Sequence, residues 1–315
     1  MRYDNITIKG SGSFLPAKVL HNTEIEKSTN GAVTPSWIFD NLGIGERRQV
    51  NYGGVSDLGY YAALKALEDA NLEKEDIDLI IVATSSPERI SPSTACTIHK
   101  KLGILKDTPC FDINAVCAGF VYAMGIAAPL ISTKTYKNIL VIGTEAYSKI
   151  TDYTDRNCVF FGDGAGAMVL SYSKKGWMEI ELNSNGGGTG STGFTCPLDT
   201  TYSTNPKEVW NQAIKVLPSS IESILSKADL KSTDISMFIP HQASIKMLKL
   251  IASRVGLSAH KVKTVMHKYG NIAGASVPIA FDEAKKNNEI RRGDNLLFTA
   301  IGSGWSWGSI VINYE

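Results

Sequence analysis

Three polar residues in this chain each stand at the end of an apolar run or in a turn of small residues, and their types fit covalent acyl chemistry. The first is Cys117, in Phe111-Asp112-Ile113-Asn114-Ala115-Val116-Cys117-Ala118-Gly119-Phe120. Strand-like residues lead into it, small residues follow, and a helix-like stretch runs from Val121 to Ala128. A thiol in such a strand–turn–helix sits at a helix N-terminus, where the dipole favours the nucleophilic thiolate. Taken alone, a free cysteine reads as a buried structural residue. The second residue is His241, in Phe238-Ile239-Pro240-His241-Gln242-Ala243-Ser244. The third is Asn271, in Tyr269-Gly270-Asn271-Ile272-Ala273-Gly274-Ala275-Ser276-Val277-Pro278. Residues so far apart in a chain can still converge in its fold, and it is the combination that carries weight.

Cys, His and Asn together admit two chemistries. One is papain-like hydrolysis, in which the His activates the thiolate. The other moves an acyl group from a thioester to the thiol and then lets a carbon nucleophile attack it. Nothing around Cys117 matches the papain signature. In the second chemistry, His and Asn act as neutral donors. They hold a thioester carbonyl while a malonyl group loses carbon dioxide and charge gathers on that oxygen. The backbone N–H of Cys117 and one from the Gly302–Gly304 turn would hold the other oxyanion.

The elements that must position these groups occur twice. Ala70-Asn71-Leu72 through Asp76-Ile77 matches Ala228-Asp229-Leu230 through Asp234-Ile235, an offset of 158 (76 to 234). Asn114 to Ala123 matches Asn271 to Ala280, and Asn138-Ile139-Leu140-Val141 matches Asn295-Leu296-Leu297-Phe298, both at an offset of 157 (114 to 271, 138 to 295). Three matches in one order at a nearly constant spacing imply a duplication. The halves would be 1–174 and 175–315, divided at a turn over Lys174-Lys175-Gly176. Within each half, apolar runs alternate with helix-like segments, at about 56–71 and 119–132 in the first. That alternation predicts an α/β fold with mainly parallel strands, covered on both faces. The repeat places Cys117 opposite the Gly274–Ala275 turn and His241 opposite Ala83-Thr84-Ser85, so the polar groups come from equivalent turns of opposite halves.

Other signals exclude more than they assign. Gly162-Asp163-Gly164-Ala165-Gly166 is followed by a strand-like run rather than a helix, which argues against a dinucleotide site. Asn183 to Gly193 reads as a mobile surface loop. The glycines of Gly302-Ser303-Gly304 would let the backbone approach another segment closely. With 315 residues, 43% hydrophobic and 20% charged, the chain can bury a large core. Its net charge of +1 gives no reason to expect nucleic acid or a membrane surface as a partner. The polar start, Met1-Arg2-Tyr3-Asp4-Asn5, and five cysteines without paired spacing predict a cytoplasmic protein with reduced thiols and no metal site.

The whole chain resembles β-ketoacyl-acyl-carrier-protein synthase III, a condensing enzyme of the thiolase superfamily. The residues that carry the resemblance run from Ile8-Lys9-Gly10-Ser11-Gly12 to Trp307-Gly308-Ser309. They include Thr34-Pro35-Ser36-Trp37-Ile38, Ser93-Thr94-Ala95-Cys96, the Cys117 segment, Phe161-Gly162-Asp163-Gly164-Ala165-Gly166-Ala167, His241-Gln242-Ala243 and Tyr269-Gly270-Asn271. The resemblance implies a thiolase-like duplicated α/β fold of five layers, α-β-α-β-α, with pseudo-twofold halves. It implies a homodimer that condenses an acyl-CoA primer with malonyl-acyl carrier protein in fatty acid or specialised-metabolite synthesis, with no permanently bound cofactor. Cys117 would be the acylated nucleophile, His241 and Asn271 the decarboxylation pair, and Ser303 the second oxyanion N–H beside that of Cys117. Trp37 and Arg156 would grip the adenine end of coenzyme A, and Gln242, Ala243, Ser244, Ile245 and Lys246 would form the carrier-docking stretch.

Three positions depart from the family pattern. Asn41 replaces a common Arg, which weakens the expected hold on coenzyme A phosphates. Ser91 replaces a bulky Phe of the acyl pocket, and Ile301 replaces a Phe beside the active site. The last two remove aromatic volume and predict a primer larger than acetyl. Two rivals share the fold: a thioester-dependent acyltransferase that never decarboxylates malonyl, and a non-catalytic partner subunit of a heteromeric synthase. The retained Cys117, His241 and Asn271 favour condensation over both.

Overall fold

The computed structural model describes residues 1–188, 193–197 and 200–315. The chain opens with β1 (Arg2–Phe14), β2 (Lys18–His21), α1 (Asn22–Ser28), α2 (Pro35–Leu42), β3 (Glu46–Gln49) and α3 (Val55–Ala70). β4 (Leu79–Ala83), α4 (Thr94–Leu102), β5 (Cys110–Ile113), α5 (Gly119–Ser132), β6 (Asn138–Ala146) and β7 (Asp163–Ser184) follow. Next come β8 (Phe194–Thr195), β9 (Ser203–Thr204), α6 (Pro206–Lys227), β10 (Met237–Pro240) and α7 (Ile245–Arg254). α8 (Met266–Tyr269), α9 (Ser276–Lys286), β11 (Asp294–Gly302) and β12 (Ser306–Tyr314) complete the chain.

The main sheet runs β10-β11-β12-β7-β6-β4-β5, with β1 paired to β7. Every residue of β4 and β6 is buried, as near-continuous apolar strands covered on both faces require. The pairing is more mixed than the alternation of runs implied. β4 pairs in parallel with β5 and β6, and β10 with β11, but β7 is antiparallel to β1, β6 and β12. Hairpin-like returns and helical crossovers give similar apolar runs, so periodicity alone did not separate them.

Five layers result. Residues of α5 and α9 are buried together in one core between the strands of the two halves, among them Phe120, Met124, Val277 and Phe281 against Ile81, Val141, Ile239 and Phe298. α3 and α4 cover the outer face of the first half. α6 and α7 cover that of the second.

The duplication survives in local detail. Asn71 and Asp229 both take left-handed φ, 51° and 54°, and each precedes a one-turn 3-10 helix, Lys74–Asp76 and Ser232–Asp234. Asn138 Nδ2 donates to Asp76 O at 3.0 Å, and Asn295 Nδ2 donates to Asp234 O at 3.4 Å. The expected turn at Lys174–Gly176 is absent. Gly176, at φ 85°, is instead a kink inside the 22-residue strand β7, where the register with β1 shifts. The division at 174/175 therefore falls within a strand that both halves use. The expected loop at 183–193 is only partly described, since 189–192 lie outside the described residues. Its described ends are anchored: Asn183 and Ser184 belong to β7, and Gly193 is buried.

Candidate active site

Cys117 and Asn271 sit on two turns of one design. Ile113 ends β5, and a 3-10 turn over Val116–Ala118 leads into α5. In the second half, a 3-10 turn over Ala273–Ala275 leads into α9. Asn114 Oδ1 accepts from Val116 N at 3.1 Å, and Asn271 Oδ1 accepts from Ala273 N at 2.8 Å. The residues so held, Val116 and Ala273, have φ of 49° and 37°, a left-handed region that side chains with a Cβ enter only under constraint.

Each turn leans on a glycine from the other half. A Cβ on Gly302 of β11 would run into Ala115 O and come within 3.0 Å of Cys117 N. A Cβ on Gly143 of β6 would come within 2.7 Å of Gly274 O. The close approach expected of the Gly302–Gly304 turn is thus made, and it is made to the backbone of Cys117.

One largely apolar cavity of about 590 Å³ joins the site. Cys117, His241, Asn271, Gly302 and Ser303 line it, and so do Trp37 and Arg156. His241 follows β10, its amide donating to Thr299 O at 2.8 Å. Burial pushes the imidazole down to about 4, and a hydrogen bond with the Ala273 backbone only partly opposes that. His241 is therefore neutral at pH 7. Asn271 is fixed on both sides of its peptide: its amide donates to Phe160 O at 3.0 Å, and its carbonyl accepts from Gly162 N at 2.9 Å. With Oδ1 used by Ala273, Nδ2 is left as a donor for a ligand.

The thiol itself departs from expectation. Burial, together with the Glu145 carboxylate, raises the Cys117 pKa well above that of an ordinary cysteine. Cys117 lies within a short 3-10 turn, Val116–Ala118, so α5 and its dipole start two residues further on. Glu145, at the end of β6, was not singled out from the sequence. It accepts from Ser85 N at 3.1 Å, Ser85 Oγ at 2.9 Å and Ser86 Oγ at 2.5 Å, and burial raises it to about 7. Its signal in the sequence was a charged residue three positions past an apolar run, Ile139 to Ile142. A second omission is an aromatic wall next to Cys117, made by Tyr147, Phe161, Phe194 and Tyr202. Tyr147 stacks on Phe161 at 4.3 Å, and Phe194 stacks on Tyr202 at 5.2 Å.

The 3-oxoacyl-[acyl-carrier-protein (ACP)] synthase III model matches residues 111–186, and the model of that family's C-terminal part matches residues 225–314. The first span holds Cys117; the second holds His241, Asn271 and Ser303. The chain belongs to the 3-oxoacyl-[acyl-carrier-protein] synthase III family. It is 38% identical over 327 aligned positions to the β-ketoacyl-[acyl-carrier-protein] synthase III of Clostridium acetobutylicum, covering 99% of each chain. It is 40% identical over 318 to that of Thiobacillus denitrificans, covering 98% of each. The crystal structure of 3-oxoacyl-[acyl-carrier-protein] synthase III from Aquifex aeolicus superposes with a TM-score of 0.93 at 36% identity, over 98% of this chain and 100% of that one.

The remaining synthase III positions divide. Trp37, on α2, is 40% exposed, and the Arg156 guanidinium lies 5.9 Å from its ring centre, both on the cavity wall. Asn41 lies beside them and accepts from Lys246 Nζ at 2.8 Å, so Lys246 puts a cation where the Arg at 41 is missing. Ile301 lines the cavity.

Ser91 does not line the cavity within a single chain. The Glu88 carboxylate accepts from Ser56 N at 2.9 Å and Ser56 Oγ at 2.8 Å, which draws the 87–92 loop to the N-terminus of α3 and leaves Ser91 exposed. Most of the 242–246 stretch is also turned inward. Gln242 is buried, donating to Pro240 O and Lys263 O and accepting from Val265 N at 2.8 Å. Ser244 is the N-cap of α7 and is buried, while Ala243 and Ile245 are half-buried. Only Lys246 of the five is exposed, on the same face of α7 as Lys249 and Ser253. Among the described residues no group of His, Cys, Asp and Glu could hold a metal ion, and no helix is long and apolar enough to cross a membrane.

Proposed function

We propose that this chain takes an acyl group from acyl-CoA onto Cys117 and condenses it with malonyl-acyl carrier protein to give a β-ketoacyl thioester. The observation that carries this reading is the single cavity that unites Cys117, His241 and Asn271 with Trp37 and Arg156. In the first half-reaction the Cys117 sulfur bonds to the acyl carbon, the acyl–S(CoA) bond breaks, and the departing CoA sulfur takes up the thiol proton. In the second, the malonyl carboxylate leaves as carbon dioxide, and its electron pair passes into an enolate. His241, held neutral, and Asn271 Nδ2 donate to that enolate oxygen. The new carbanion attacks the acyl-Cys117 carbonyl, the backbone N–H groups of Cys117 and Ser303 hold the resulting oxyanion, and the Cys117 thiolate leaves. The chemistry needs only these groups and the two thioesters, so no resident cofactor is invoked.

Both donors of the decarboxylation pair are retained in the cavity, which favours condensation over simple acyl transfer. Lys246 stands exposed at the cavity's edge beside Asn41, and an acidic carrier would meet it there. The outer strand β5, with Phe111 39% exposed, offers an open sheet edge for a second copy of this chain in a homodimer. A cytoplasmic setting fits the five free cysteines. Intact-mass analysis with a panel of acyl-CoAs, with and without malonyl carrier protein, tests the whole reading. One acyl adduct on Cys117, discharged only when malonyl carrier protein is added, is the expected result. An adduct that is never discharged by malonyl carrier protein would leave acyl transfer in place of condensation.

A further inference from the structure

We propose that the side chain of Ser303 is a positioning residue that ties the oxyanion turn to the aromatic wall beside Cys117 and so sets which acyl groups the site accepts. This rests on acyl loading at Cys117, as argued above. The turn between β11 and β12 is held from two sides. On one side Trp305 and Asn185 exchange both backbone hydrogen bonds, at 2.8 and 2.5 Å. On the other, the Ser303 hydroxyl does what a second strand would do: Oγ donates to Phe194 O at 2.8 Å and accepts from Phe194 N at 3.0 Å. The packing around this link is tight, since a Cβ on Gly193 would come within 2.9 Å of both Ser303 Oγ and the Trp305 ring.

Phe194 depends on that link. It lies on β8, which has two residues and, among the described residues, pairs with the two residues of β9, with one further backbone bond from Asn205 N to Gly193 O at 2.8 Å. A ribbon that short does not hold its own register. Yet the Phe194 ring is a central member of the wall, 5.2 Å from Tyr202, 5.8 Å from Phe161 and 5.8 Å from Tyr147. The wall and Cys117 pack together, and Phe194 also lines the cavity. Meanwhile the backbone of the same turn, at Gly302, abuts the Cys117 peptide. An acyl group on Cys117 would thus meet, at its two ends, two surfaces joined by one hydroxyl. Any residue at 303 without a hydroxyl keeps the backbone N–H but lets Phe194 move independently of it.

The test compares kcat/KM for acetyl-, butyryl-, hexanoyl- and branched acyl-CoA, together with Cys117 adduct yield, in the wild type, Ser303→Ala, Ser303→Thr, Phe194→Ala and the double variant. Freed of its tether, the wall yields to bulk. Ser303→Ala should raise the hexanoyl-to-acetyl ratio by roughly fifteenfold, the worth of about two buried methylenes. Ser303→Thr, which keeps the hydroxyl, should hold the wild-type ratio. Phe194→Ala should shift the ratio the same way, and adding Ser303→Ala to it should change little more, because both act through one ring. An unchanged ratio in folded Ser303→Ala, or effects that multiply in the double variant, would overturn the inference. A wild type that loads no acyl group on Cys117 would instead remove the functional reading beneath it.

Discussion

Asn114 and Asn271 begin turns with the same 3-10 geometry, the same side-chain hydrogen bond and the same positive φ two residues on, yet the first asparagine is exposed and the second is buried. The thiol rides on the first turn; at the equivalent place on the second stands Gly274. Asn271 is pinned between Phe160 and Gly162 of the other half, and Asn114 has no such bracket among the described residues. One local sequence plan therefore yields a turn that carries a thiol in one place and a bracketed asparagine in the other. The division of labour comes from what surrounds each turn.

Cys117→Ala removes the thiol and should abolish the acyl adduct in intact mass, while Asn114→Ala keeps it. Asn271→Ala or His241→Ala should lose malonyl decarboxylation on the order of 100-fold, because each donor serves charge that develops only as carbon dioxide leaves. Much of Cys117 acylation should survive in both, and carbon dioxide release at the wild-type rate would show the role to be wrong.

The crossed supports give a sharper contrast. Gly302→Ala pushes on the Cys117 turn and should slow acylation, whereas Gly143→Ala pushes on the Gly274 turn and should slow decarboxylation. Each should cost about 1–3 kcal/mol in urea unfolding, and the opposite assignment of the two rates would break the comparison. Asn114→Ala should cost about 1 kcal/mol of stability and little activity, which separates a turn-holding asparagine from a reacting one.

The smallest effect is on pH. His241 has its folded pKa lowered from the ordinary 6.5 to about 4. Its contribution to stability is therefore fully present above 6.5 and fades as the pH falls toward 4. The rate of decarboxylation should show no His241-dependent loss between about pH 7.5 and 5.5. A titration near 6.5 that disappears in His241→Gln would contradict a buried neutral imidazole.

Much of this arrangement was readable along the chain because it obeys local rules. The helices at 119–132 and 56–71, the α/β layering and the two matching turns all follow from periodicity and repeat. Cys117, His241, Asn271 and Ile301 do line one cavity, and Ser303 lines it with them. What escaped the sequence depended on tertiary surroundings. The thiol's environment is set by burial and by Glu145, 28 residues away, so the dipole argument gave the wrong direction for its pKa. Ser91 is drawn outward by Glu88, and Gln242 is buried by contacts with residues some twenty positions on. The aromatic wall collects Tyr147, Phe161, Phe194 and Tyr202 from four separate stretches with no common spacing.

The strand that both halves use also bears on how the chain is made. β1 leaves the ribosome well before β7, and it carries Ile6 and Ile8, buried in the finished core. Its partners on β7 start with Ala165, opposite Phe14. At a synthesis rate of about 5–20 residues per second, that apolar strand waits roughly ten to thirty seconds for the segment it must pair with. Until then the first half lacks the strand that closes its sheet. The second half, in turn, needs β7 to receive β12. The two repeats thus share one strand, and neither part of the sheet can be completed before β7 is made.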